Sequence, residues 1–176
     1  MKTTCLLIAS IAFLASCNDK TASPTTTSAN EPSPALGAVL AASPVGEPKA
    51  IAALRNTAKP GDEITLSGRI MGNAKPFVDG RTVFILGDPD VLTACNETPG
   101  DNCETPWDAC CDSPEDKKRG TATIQIVGDD GRVLKEPVEG VGGLKNLATI
   151  TVTGKVAEGS SAELLIVNAK AIRTHE

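Results

Sequence analysis

The chain of 176 residues contains no tyrosine, one tryptophan and three phenylalanines. So few rings make stacking platforms for single-stranded nucleic acid or for sugars scarce. Histidine is almost missing too. The single one, His175, is next to last in the chain, so neither a Ser-His-Asp nor a Cys-His constellation has a base around which to assemble. No apolar run reaches the ~20 residues that span a bilayer. The glycine-rich stretch Gly140-Val141-Gly142-Gly143-Leu144-Lys145 lacks the spacing and the strand-to-helix setting of a phosphate loop. Positive charge is also short, with 17 Lys and Arg against 22 Asp and Glu and a net charge of −5. Such a balance repels nucleic acid and anionic headgroups. These absences point to a non-enzymatic protein without a cofactor and without nucleic acid among its partners.

The N-terminus is more explicit. Lys2 precedes an apolar stretch from Leu6 to Ala15, and small residues at 15 and 16 stand just before Cys17. Leu14-Ala15-Ser16-Cys17 resembles the bacterial lipobox. That resemblance implies removal of residues 1–16, acylation of Cys17 and attachment to a membrane through the N-terminal lipid. Asn18 rather than aspartate would then follow the acylated cysteine, which implies the outer membrane with the chain facing the periplasm. Residues 17–46 are rich in Ser, Thr, Pro and Ala and are expected to form a flexible tether.

A single domain is expected over 47–176. Glu47-Pro48 followed by Ile51 and Leu54 predicts a short helix ending near Thr57. Period-two alternation predicts strands at 63–70, 82–86, 121–127, 148–156 and 163–172, with a turn at Gly128-Asp129-Asp130-Gly131 and a short pairing strand at 132–134. Short strands rich in Val, Ile and Thr between glycine turns indicate an antiparallel all-β domain of five or six strands. Closure into a barrel would remove its edges. Ile64-Thr65-Leu66-Ser67-Gly68-Arg69-Ile70 and Ile150-Thr151-Val152-Thr153-Gly154-Lys155-Val156 share one pattern. The glycine inside each suggests a bulge or a sharp bend.

In order, Pro60-Gly61-Asp62, the strand through Gly68, the strand through Gly154 and a last strand ending Leu165-Ile166-Val167-Asn168-Ala169-Lys170-Ala171-Ile172 resemble the OB-fold of small bacterial envelope proteins. The likeness implies a small OB-like barrel interrupted by a cysteine-rich insertion. OB-folds often take nucleic acid or oligosaccharide on strands two and three, but only Arg69, Lys75 and Arg81 offer basic groups there. OB-fold haem chaperones of the same compartment carry a tyrosine soon after their terminal histidine, and this chain has none.

The insertion, 88–116, is the unusual segment. It holds nine carboxylates, four cysteines and no Lys or Arg. Cys95, Cys103, Cys110 and Cys111 are an even set in an exported domain, and two disulfides are the leading expectation. Joining the neighbours Cys110 and Cys111 would strain the peptide between them. That leaves Cys95–Cys110 with Cys103–Cys111, or Cys95–Cys111 with Cys103–Cys110. Loops of this size gain ~3 kcal/mol each in the chain-entropy model. Trp107 is expected to pack over the bridges, with a binding platform as its other use. Thiolate coordination of zinc or copper competes, although the spacing is unlike paired C-x-x-C knuckles. Asp88-Pro89-Asp90 and Asp101-Asn102 offer oxygens for calcium, but no EF-hand spacing is present. The expected function is therefore binding or structural, with Asp101, Glu104, Asp108, Asp112 and Trp107 meeting a basic envelope partner. Metal handling by the loop, or oligosaccharide or nucleic-acid binding by the barrel, are the alternatives.

Overall fold

The computed structural model describes residues 31–175. The expected signal segment, Cys17 and the first part of the expected tether lie outside them. The folded unit is Pro32–Glu176. It begins inside the expected tether, because Ser33-Pro34 starts a helix, α1 (Pro34–Ala41). Ser33 Oγ accepts the Leu36 N–H at 3.2 Å and proline occupies the first turn, so two of the usual start signals coincide. Leu36 is fully buried, and α1 lies against the last strand. The helix expected over 47–57 divides into a two-residue strand, β1 (Lys49–Ala50), and a shorter helix, α2 (Ile51–Arg55).

Five further strands follow: β2 (Glu63–Arg69), β3 (Val83–Gly87), β4 (Thr121–Gln125), β5 (Thr149–Val156) and β6 (Ile166–His175). A third helix, α3 (Pro114–Gly120), ends the insertion and runs directly into β4. The strands are neighbours in the order β2, β3, β4, β6, β5, and β5 returns to β2, so the sheet closes into a five-stranded barrel with β1 added alongside β2. Alternation drives this closure. Phe84 and Leu86 of β3, Ile124 of β4, Ile150 and Val152 of β5 and Val167 of β6 all point into one core that also holds Leu36, Ile51 and Leu54 from the helices.

The barrel is not wholly antiparallel. β4 and β6 run parallel, pairing Thr123 with Ile166 and Gln125 with Asn168, and β1 is parallel to β2. A parallel pair needs a crossover between its strands, and here β5 and its flanking turns supply it. The short strand expected at 132–134 reduces to one bridge between Val127 and Val133 across the turn.

Both strand glycines are sites of close approach. A Cβ on Gly68 would lie 2.7 Å from the Gly87 carbonyl oxygen, and one on Gly154 would lie 2.4 Å from that of Asn168. The β5–β6 register shifts between Thr153 and Gly154, so the bend sits where the backbones crowd. Gly154→Ala is expected to cost about 2 kcal/mol in denaturant unfolding, the middle of the overpacking range. Gly37→Ala, in α1 with nothing within 4 Å of the added methyl, should stabilise by about 0.5–1 kcal/mol. Equal effects at the two positions would contradict this reading of the bulge.

Candidate functional site

The insertion opens on Asp88, which is 1% exposed. Its Oδ2 accepts the Ala52 N–H at 2.9 Å, in the first turn of α2, and its Oδ1 accepts that of Asp90 at 3.1 Å. Its backbone N–H donates to Gly120 O at 2.7 Å, which ties the start of the insertion to its end. Both oxygens of this carboxylate are thus engaged with the backbone. The chain then buries Leu92, Ala94 and Ala109 against Met71, with Val91 and Leu147 packed alongside, in a small core separate from the barrel's. Gly87 and Gly120 permit the approach: a Cβ on either would meet Met71 or Leu92 at under 3 Å.

Beside that core the two limbs of the loop bond to each other. The Cys95 N–H donates to Asp108 O at 2.8 Å, and the Asn96 N–H to Pro106 O at 2.9 Å. This pairing brings Cys95 and Cys110 together although fourteen residues separate them in the chain. Trp107 pins the same limb to the segment after β2. Its carbonyl accepts the Gly72 N–H at 2.9 Å and its indole N–H donates to Ala74 O at 3.0 Å. The half-buried ring lines a cleft of about 180 Å³ with Ala74, Lys75, Pro76, Phe77 and Asn146. Its polar atoms thus anchor the loop to the barrel side. Arg69 adds an ion pair with Glu97 and a 3.2 Å bond from Nε to Leu147 O.

At the tip, Asp101 Oδ1 accepts the Cys103 N–H at 2.9 Å and folds Cys103 back over the limbs. The sulfurs of Cys95, Cys103 and Cys110 then all lie within 4.8 Å of one another. Cys110 Sγ is 3.4 Å from Cys95 Sγ and 3.9 Å from Cys111 Sγ. A carboxylate oxygen of Asp101 and the sulfurs of Cys110 and Cys111 form a second group within the same limit. All four cysteines are free thiols, so the two expected disulfides are not formed here. The closest sulfurs stand well beyond the ~2.05 Å of a disulfide bond. Tetrahedral thiolates at about 2.3 Å from a zinc ion would place their sulfurs about 3.8 Å apart. The observed separations of 3.4 and 3.9 Å straddle that value.

Burial pushes the Cys95 thiol up to about 12. The Thr105 hydroxyl, 3.3 Å from Cys103 Sγ, holds that thiol below its ordinary value by stabilising the thiolate. At Cys110 the hydrogen bond with Cys95 pulls down, but Cys111 and burial push harder and the thiol is raised. Asp101 Oδ2 is enclosed without a hydrogen-bond partner.

The four carboxylates expected to face a partner divide. Asp101, Asp108 and Asp112 each accept a backbone N–H, from Cys103, from Ala109 at 2.7 Å and from Thr93 at 2.8 Å, and so shape the loop. Glu104 stays exposed. His175 is the last residue of β6, and its Nε2 lies 2.8 Å from Thr151 Oγ1. The expected pairings already brought Cys103 to the Cys110-Cys111 pair; that Asp101 folds it there was not expected. An Asx turn at Asp101-Asn102-Cys103 was the available signal.

No protein-family model matches the chain, and no curated protein or solved structure matches it. What the loop can do therefore follows from its own geometry.

In the reduced protein at neutral pH, iodoacetamide is expected to label Cys103 and the exposed Cys110 and Cys111 well before Cys95. Cys103 should titrate below an ordinary thiol, and Thr105→Val should raise its midpoint and slow its labelling near neutrality. Labelling of Cys95 at the rate of Cys103, followed by peptide mass mapping, would contradict the site as described.

Proposed function

We propose that this chain is a lipid-anchored envelope protein that binds a thiophilic metal ion, zinc(II) or copper(I), in the loop of an OB-like barrel. The observation that carries the reading is the meeting of the Cys95, Cys103 and Cys110 sulfurs within 4.8 Å of one another, with Cys111 and a carboxylate oxygen of Asp101 grouped around the same Cys110. Sulfur donors select zinc and copper(I) over calcium and magnesium. The surrounding carboxylates lower the cost of bringing a cation there. The role is binding, with no catalytic residue assigned.

The closed strand order with one parallel pair supports the OB-like assignment. Fold by itself carries no function, and the site is read from its chemistry. Acylation of Cys17 and an outer-membrane position facing the periplasm belong to the same proposal and rest on the lipobox. Docking of a basic envelope partner is a second reading. The exposed Glu104 supports it, but Asp101, Asp108 and Asp112 already satisfy backbone donors.

An exporting compartment oxidises thiols, so metal and disulfide compete for the same sulfurs. Intact mass spectrometry of the mature protein, purified without denaturant and with metal analysis alongside, separates them. The expected result is bound zinc or copper in stoichiometric amount, four alkylatable loop thiols after the metal is stripped, and a lipid mass that Cys17→Ser removes. A mass four protons below the reduced value, with no metal and no alkylation, would establish two disulfides and overturn the metal reading.

A further inference from the structure

Resting on the metal reading above, we infer that Cys110 is shared between two overlapping ligand sets, and that ions enter and leave the buried set through the exposed one. The inner set is Cys95, Cys103 and Cys110; the outer set is Asp101, Cys110 and Cys111. They differ in burial and in donor type. Cys95 is 3% exposed and Cys103 half-buried, whereas Cys110 and Cys111 are exposed. Three sulfurs make the inner set the softer one, and the carboxylate makes the outer set the weaker holder of a thiophilic ion. An ion therefore rests inside and passes outward.

Geometry supports a direct shift. Cys110 and Cys111 stand in the turn closed by the Asp112 N–H to Ala109 O bond of 3.1 Å, just before α3, with their sulfurs 3.9 Å apart. Cys110 can keep hold of the ion while its other ligands are exchanged. In that step Cys111 loses its proton to solvent and bonds the ion. Cys95 releases the ion and takes up a proton, and the Asp101 carboxylate replaces Cys103, which is likewise protonated. The ion then sits on Cys110, Cys111 and Asp101 at the surface, where thiolates of an acceptor can displace these ligands. No electron moves. Asp101 suits this role because one of its oxygens already holds the Cys103 N–H while the other, Oδ2, is enclosed with no partner.

The test uses the whole mature protein loaded anaerobically with zinc(II) or copper(I). Affinity is read by competition with a chromophoric chelator, and transfer by mixing with excess chelator in stopped flow. Cys95→Ser is expected to weaken affinity at least about a hundredfold, and Cys103→Ser provides a second inner-set variant should the buried position disturb folding. Cys111→Ser should leave affinity within a few-fold of wild type but slow transfer at least about tenfold, and Asp101→Asn should slow it less. Transfer from Cys111→Ser at the wild-type rate would overturn the relay while leaving the metal reading intact. Loss of affinity in Cys111→Ser equal to that in Cys95→Ser would show one closed four-sulfur site, again against the relay. Failure of the wild-type protein to bind either ion would refute the underlying metal reading and the relay with it.

Discussion

The burial of Leu92, Ala94 and Ala109 against Met71 is the contact on which the rest of the site depends. A loop this acidic has little apolar surface with which to order itself. Fixing each residue costs roughly 1–2 kcal/mol of backbone entropy. The small core supplies a fixed floor, and Cys95, next to Ala94, is held at its edge. The limbs above it need only a few well-placed bonds to converge, among them those of Trp107 to Gly72 and Ala74. The barrel contributes a rigid wall, and Gly87 at the end of β3 and Gly120 at the end of α3 let the loop come close to it.

The carboxylates act mainly as structural acceptors. Asp88, Asp101, Asp108 and Asp112 each satisfy a backbone N–H that no regular ladder would reach. Hydrogen bonds to a charged group are worth roughly 1.5–3 kcal/mol each, so a segment poor in apolar side chains can still hold a defined shape. That shape gathers negative charge and sulfur around one point. The same device that orders the loop thereby prepares it for a cation.

Much of the barrel was legible in the chain, since the alternation at 63–70, 82–86 and 148–156 is local and marks an inner face directly. The glycines at 68 and 154 were legible for the same reason. Strand direction was not: the parallel pairing of β4 with β6 is decided by long-range closure, which no window of sequence contains. The helices α1 and α3 were missed although Ser33-Pro34 and Ser113-Pro114 carry start signals, and α3 adds acidic residues in its first turn and basic ones in its last. Composition hid α1 within a Ser, Thr and Pro tract. At the site, four cysteines in an acidic segment were visible at once. The expected pairings already drew Cys95 and Cys103 toward Cys110 and Cys111, but the cross-limb backbone bonds that bring them there, and the anchoring of the loop to the barrel side by Trp107, had no signal in the irregular spacing.

The central claim is that the loop presents a sulfur-rich coordination sphere. X-ray absorption at the metal edge of the zinc- or copper(I)-loaded mature protein tests it most directly. The account predicts a first shell dominated by sulfur, with at least three scatterers at about 2.3 Å for zinc. A shell of oxygen and nitrogen alone would contradict it.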